Sequence, residues 1–224
     1  MPQNHKLSEE PERLALCALH LACHVMKRAF DLVVSSLGLV LLSPLMVIAA
    51  LLVKLDSSGP IFFRQERMGK GFRPFFIYKF RTMVQDGSRT GSPITSGDDP
   101  RITRVGRFLR RTKIDELPQL INVLKGDMAF VGPRPEVREF VELFREDYEK
   151  ILKIRPGITD LASLKYRDEA TFLGKFNNPA EAYVTQILPD KIRLAKDYIQ
   201  RSSFFFDLRV ILKTLLKLFD RRAA

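Results

Sequence analysis

Residues 27–56 read KRAFDLVVSSLGLVLLSPLMVIAALLVKLD, and the reading of this stretch decides the fold. Leu32 to Val53 carry no charge, a run long enough to span the hydrocarbon of a bilayer. A cleaved signal peptide fits poorly, because the run is too long and shows no small-residue cleavage site before the next motif. Two features argue against a simple crossing. Ser43-Pro44 stands near the centre, where proline removes an amide and disfavours helix at the residue before it; Gly38 and Ser35-Ser36 loosen the first half. Cations also flank both ends, Lys27 and Arg28 before and Lys54, Arg64, Arg67 and Lys70 after. The positive-inside rule then asks for both ends on the cytoplasmic side. A re-entrant helix that breaks at Ser43-Pro44 satisfies both features, with the serine hydroxyl helping to satisfy carbonyls freed at the break. The alternative is a proline-kinked helix that crosses once.

The chain's 224 residues suffice for one domain with a core, or for a small domain plus attachments. Lysine and arginine number 37 against 26 acids, a net charge of +11, which suits an anionic partner such as nucleic acid, an acidic membrane or a phosphorylated substrate. Nucleic acid is set aside as a partner: no helix-turn-helix, zinc or other recognised binding module is present, and the charge-free run would have no role. Cys17 and Cys23 lie six residues apart and make no disulfide scaffold, so a reduced, cytosolic setting is expected. Cys17, His20 and His24 have helical spacing that imitates a zinc site, but no carboxylate or second cysteine pair supports a metal there.

The aromatic-rich runs on either side of Met68-Gly69-Lys70-Gly71 predict a β-hairpin. Residues 84–103, rich in Gly, Ser, Asp and Pro, predict a surface loop. A helix is predicted from Glu136 to Leu152, with Val137, Phe140, Val141, Phe144 and Tyr148 on one face, and a loop with a short helix over 174–190. In the tail, 204–222, a stripe of Arg209, Lys213, Lys217 and Asp220 interrupts an apolar helix, which can lie in a membrane interface or pack on the core.

Residues 113–135, KIDELPQLINVLKGDMAFVGPRP, raise the chemical question. Leu117, Leu120, Ile121 and Leu124 follow helical spacing and Gly126 is a natural stop. Pro118 is tolerated only in a first turn, so the helix is expected to begin near Asp115 or Glu116. Free amides and the macrodipole there favour anions, keeping Asp115 ionised as a carboxylate nucleophile must be. Neighbours on a helix diverge, so the pair divides labour: one attacks, and Glu116 holds Mg²⁺ against a diphosphate. The alternative is that Asp115 merely caps the helix. Pro133 and Pro135 clamp a turn that presents Arg134, which can fork onto a phosphate or face solvent.

From Lys27 to Phe219 the chain resembles the bacterial sugar transferases, monotopic phosphoglycosyl transferases. The resemblance runs through KRAFDLVVSSLGLVLLSP (27–44), GPIFFRQERMG (59–69), IYKFRTM (77–83), GRFLRRTKIDELPQLINVLKGDMAFVGPRP (106–135), RPGIT (155–159) and SFFFDLRVILKT (203–214). It implies an α+β, mainly helical fold: an N-terminal extension (1–26), a re-entrant membrane helix (27–56) and a catalytic domain (57–224) ending in an interfacial helix. It implies transfer of a sugar-1-phosphate from a UDP-sugar to polyprenyl phosphate, with Mg²⁺, at the cytoplasmic face of the bacterial inner membrane. Asp115 maps onto the family's nucleophile and Glu116 onto its metal-supporting glutamate. Lys79, Arg110 and Arg134 map onto substrate-binding positions, Asp207 onto a further metal position, and Arg167 loosely onto a Gly-Arg-Asn motif. Residues 1–26 either extend the membrane helix or contact a second subunit. The stretch GITDLASLKYRDE departs from the family's common GITG-(Trp/Leu)-AQV segment; the resemblance implies that this region shapes the sugar pocket, so the departure leaves the sugar unnamed. A catalytically inactive membrane scaffold of the same fold is the competing reading.

Overall fold

A computed structural model describes residues 9–84, 94–95 and 99–219, with side chains from Val25 to Leu218. The Cys17, His20 and His24 side chains, most of the 84–103 loop and Asp220 lie outside the described residues. The fold is mainly helical, as expected, and has two small sheets where the sequence reading has one hairpin.

Helix α1, Glu9–Asp56, takes in the charge-free run and continues N-terminally through most of the 1–26 extension. Its Val25–Asp56 portion is long and apolar enough to cross a membrane, and only 11% of its most apolar window is buried, unlike the core helix of a soluble protein. The helix is not interrupted at Ser43-Pro44, where the sequence reading expects a break. The reason is local. Pro44 has no amide for the carbonyl of Val40, and the Ser43 hydroxyl donates to that carbonyl at 2.7 Å instead.

The hairpin forms where expected: β1, Phe62–Met68, pairs antiparallel with β2, Pro74–Phe80, around a turn in which Gly71 takes a positive φ. Then follow α2, Arg104–Thr112, and α3, Gln119–Lys125. Strand β3, Ala129–Val131, leads to α4, Arg138–Leu143, and α5, Arg145–Ile151, which divide the predicted 136–152 helix at Phe144 (φ −120°, ψ 40°). Strand β4, Gly157–Thr159, lies parallel to β3, a pairing the sequence reading does not contain. Helices α6, Leu161–Lys165, α7, Glu169–Leu173, and α8, Pro179–Ala182, come next, then a π-helical turn, Tyr183–Ile187. Helix α9, Leu188–Arg201, begins inside the predicted 174–190 loop, and α10, Phe204–Phe219, ends the described chain. Val141, Tyr148, Ile151, Leu173, Ile187 and Leu188 belong to the largest core cluster among the described residues, which joins α4, α5, α7, the π-helical turn and α9.

Both halves of α1 rest on this one body. Before Pro44, Arg28 donates to the Val123 and Leu124 carbonyls at the end of α3 (2.7 and 3.0 Å), and Asp31 accepts from the Phe130 amide (3.1 Å). After it, Ala49 and Val53 pack on Phe80 and Leu109. Between these anchors Val40, Leu41, Val47, Ile48, Leu51 and Leu52 are exposed. Helix α10 divides its faces in the same way. Val210 packs with Val131 and Tyr198, while Phe205, Leu212 and Leu216 stay exposed beside Arg209 and Lys213, so the tail both covers the core and presents an apolar face.

The parallel β3–β4 pair sets the GPRP turn. Gly157 donates to the Pro133 carbonyl at 3.0 Å, and a Cβ built on Gly157 would lie 2.1 Å from the Gly132 amide nitrogen. No side chain fits there without moving backbone. Gly157→Ala is expected to destabilise by about 3 kcal/mol, a fall of roughly 6–12 °C in Tm for a chain this long, and to cut activity by displacing Arg134. Thermal unfolding in detergent measures this, and an unchanged Tm would contradict the packing.

Candidate active site

The carboxylate pair lies between two helices and not at the first turn of one. Lys113, with φ 58°, ends α2, and Ile114–Glu116 form a single 3-10 turn. Pro118 is the N-cap of α3, so the α-helix begins at Gln119, later than the sequence reading places it. Helix α3 is held from both ends and one side. Its C-terminus takes the Arg28 guanidinium and the left-handed Gly126, whose amide returns to Asn122 and Val123. On its side the buried Asn122 accepts from the Tyr78 amide at 3.0 Å and donates to the Phe76 carbonyl at 2.7 Å, closing the open edge of β2.

This docking brings Lys79 to the pair. On β2 the side chain of Ile77 packs with Val123 and Met128, and Lys79, two residues on, shares its face. Lys79 Nζ then reaches Glu116 Oε1 at 2.8 Å, and Arg134 donates to the same oxygen at 2.9 Å. The Arg134 amide donates to Asp160 Oδ2 at 3.2 Å, and Asp160 Oδ1 caps α6, so the GPRP turn is tied to the 157–165 segment. Burial would raise the Glu116 carboxyl, but Arg134, then Lys79 and Lys113, outweigh it and hold it well below the usual carboxylate range.

Asp115 is only 6% exposed, and its Oδ1 has no hydrogen-bond partner in the protein. Burial pushes its carboxyl above the ordinary range, Glu116 adds to the push, and Lys79, Lys113 and Arg110 oppose it. These cations, rather than a helix terminus, favour the ionised form.

The pair lies in a cleft of about 2120 Å³ that Lys79, Arg110, Lys113, Arg134 and Arg167 also border. Arg110 donates to the Thr82 hydroxyl at 2.9 Å, and Arg167 bonds the Lys217 carbonyl of α10. The cleft is also lined by apolar residues, Val34, Gly38 and Leu42 of α1 and Ile211, Leu215 and Leu218 of α10. Asp207 is not among these residues. It pairs with Lys27 at 2.8 Å and accepts from Tyr198 at 2.9 Å, clasping α1, α9 and α10 together. Of the two expected metal positions, Glu116 therefore lines the cleft and Asp207 does not. Among the described residues no three His, Cys, Asp or Glu side chains converge. A Mg²⁺ ion in a nucleotide site is commonly held by one or two carboxylates and the substrate's own phosphates, and here Glu116 would be the carboxylate that holds it. Lys113 ends the cation run before the pair, and Asp160 has the pattern of a helix N-cap; Asn122 lies off the leucine stripe and carries no signal in the sequence.

A family model described as bacterial sugar transferase matches residues 22–221. The chain belongs to that family. It is 39% identical over 196 residues to a UDP-N-acetylgalactosamine-undecaprenyl-phosphate N-acetylgalactosaminephosphotransferase of Aeromonas hydrophila, across 84% of this chain and 42% of the relative. It is 39% identical over 205 residues to a UDP-glucose:undecaprenyl-phosphate glucose-1-phosphate transferase of Escherichia coli, across 89% of this chain and 41% of the relative. The exopolysaccharide production protein PSS of Rhizobium leguminosarum is 40% identical over 201 residues, 86% of this chain and 94% of that protein. This sugar transferase thus spans about two-fifths of the length of the first two relatives and nearly all of the third.

Proposed function

We propose that this sugar transferase moves a sugar-1-phosphate from a UDP-sugar to undecaprenyl phosphate through a phosphosugar carried on Asp115. One observation carries the reading: a buried carboxylate with a partnerless oxygen borders a cleft lined both by cations and by apolar side chains of α1 and α10. Asp115 Oδ1 attacks the β-phosphorus of the donor. The bond from that phosphorus to the bridging oxygen breaks, and UMP leaves with the oxygen. An oxygen of the polyprenyl phosphate then attacks the same phosphorus, and the Asp115 carboxylate is released as the polyprenyl-diphosphate sugar forms. Lys79, Arg110, Lys113 and Arg134 hold the diphosphate and the charge that develops on it, so positioning and charge stabilisation supply most of the catalysis. Glu116 keeps Lys79 and Arg134 in register; a bound Mg²⁺ would neutralise further charge on the diphosphate. The names of the relatives support donor and acceptor alike.

The lipid reaches the cleft along the apolar residues of α1 and α10. A re-entrant placement of α1, entering and leaving the cytoplasmic face of the inner membrane, is supported by the docking of both its halves on one body, with exposed apolar surface between them. UMP release from a panel of UDP-sugars, with undecaprenyl phosphate and Mg²⁺, tests the activity: the reading expects release from at least one donor, and none from any donor would overturn it. Topology has a separate test, in a chain without Cys17 and Cys23. Met26→Cys and Leu55→Cys, at exposed positions on either side of the apolar run, are both expected to resist an impermeant maleimide in intact cells and to react in inverted vesicles. Labelling of Met26→Cys in intact cells would mean a single crossing.

A further inference from the structure

Beside the Glu116 clamp the cleft has a second polar wall that the phosphoryl chemistry leaves unused. Glu136 is 5% exposed; it accepts from the Tyr183 hydroxyl at 2.8 Å and from Arg67 at 3.4 Å. Lys191, on α9 and 7% exposed, donates to the Tyr183 hydroxyl at 3.2 Å, pairs with Glu169 at 2.5 Å and lies 3.8 Å from Glu136. All five residues border the cleft. Two carboxylates and two cations cancel, so this wall is neutral, unlike the cationic surroundings of Asp115. A phosphate is drawn to the cations. An uncharged polyol gains most from paired donors and acceptors, which is what the wall offers.

Within the wall Glu169 is the open member: its side chain is 31% exposed, against 8% for Lys191 and 6% for Glu136. It starts α7, one turn of chain beyond the Asp160-capped helix α6. Ser163, on the preceding helix, also borders the cleft, and its buried hydroxyl has no partner in the protein. The Ser163 amide donates to Asp160 Oδ1, and Asp160 Oδ2 holds the Arg134 amide, so that hydroxyl is registered to the phosphate-facing arginine.

We propose that this wall is the subsite for the sugar ring of the donor, with Glu169 and Lys191 reading one ring hydroxyl and Ser163 a second. The inference rests on the UDP-sugar reading above and deepens it. The ring hydroxyl donates to the Glu169 carboxylate and accepts from the Lys191 ammonium. An epimer that moves this hydroxyl away loses both hydrogen bonds to the charged pair, the kind of loss by which a site built for a hydroxyl discriminates.

The test uses the full chain and UMP release. The best donor of a UDP-glucose, UDP-galactose, UDP-N-acetylglucosamine and UDP-N-acetylgalactosamine panel is compared with its ring epimer, in the unaltered protein and in Glu169→Gln. The expected result is a fall of roughly ten- to hundredfold in kcat/KM for the best donor, a similar shrinkage of its preference over the epimer, and unchanged inhibition by UMP. An unchanged preference would overturn the proposal, since a purely structural role lowers both donors alike. Weakened UMP inhibition would overturn it too, by moving the contact to the nucleoside. If Glu169→Gln does not fold, Ser163→Ala, which removes a hydroxyl without a partner, carries the same comparison. Absence of UMP release by the unaltered protein would overturn both this subsite and the reading beneath it, whereas release with an unmoved preference removes the subsite alone.

Discussion

Replacing Asp115 with asparagine is expected to lower UMP release by about 10⁴-fold or more, the scale of losing a covalent nucleophile, while the melting temperature rises. The two effects share a cause. In the unfolded chain the carboxyl titrates at its ordinary 3.8, and burial moves it higher in the fold. A carboxyl that holds its proton more tightly when folded favours the fold below 3.8, and that contribution is lost as pH rises through the folded value. At neutral pH the ionised, partnerless oxygen is a cost that asparagine relieves. The gain is on the order of 1 kcal/mol, or about 2–4 °C. The same shift places the acid limb of UMP release above the ordinary aspartate range. Differential scanning fluorimetry and a pH–rate profile measure both, and a less stable Asp115→Asn would show that the cations outweigh burial.

Glu116→Gln is expected to act in the opposite direction on stability. Its Oε1 is shared by Lys79 at 2.8 Å and Arg134 at 2.9 Å, so removing the charge leaves two neighbouring cations without their common anion. Stripping one partner from a buried ion pair costs about 3–5 kcal/mol, and roughly 3 is expected here, because the Arg134 side chain keeps 31% exposure. The sign with pH follows from the lowered carboxyl. The contribution is fully present above the unfolded value of 4.5 and is lost only as pH falls through the lower folded value. The gap in Tm between the unaltered protein and Glu116→Gln should therefore be wide at pH 7 and close on acidification. UMP release should fall as well, since Lys79 and Arg134 lose their register. A variant as stable as the parent at pH 7 would mean that the clamp is not formed.

Much of this architecture is legible in the chain, for identifiable reasons. An uncharged run flanked by cations fixes the long apolar helix, and two aromatic runs around Met68-Gly69-Lys70-Gly71 fix the hairpin. The helical break does not follow from Pro44 alone, because the Ser43 hydroxyl takes over the carbonyl that proline leaves. Pro118 misplaces the start of α3 because a 3-10 turn absorbs the residues before it. The pairing of β3 with β4 is invisible, since strands of three residues have no period to read. Asp115, Glu116, Lys79, Arg110 and Arg134 are named by resemblance, but their grouping depends on contacts between segments far apart in sequence. Asn122 against β2, and Gly157 against Gly132, set those contacts, and neither pattern nor composition announces them. Asp207 shows the converse: a position mapped by resemblance to a metal role clasps α1, α9 and α10 in this fold, outside the cleft.

The central claim is that Asp115 itself carries the phosphosugar. Mass spectrometry of the protein, incubated with a donor it turns over and no acceptor, tests this most directly. The account predicts a gain of one phosphosugar on the peptide that contains Asp115, discharged when undecaprenyl phosphate is added. An unmodified Asp115, under conditions in which the lipid-linked product forms once acceptor is supplied, would contradict it.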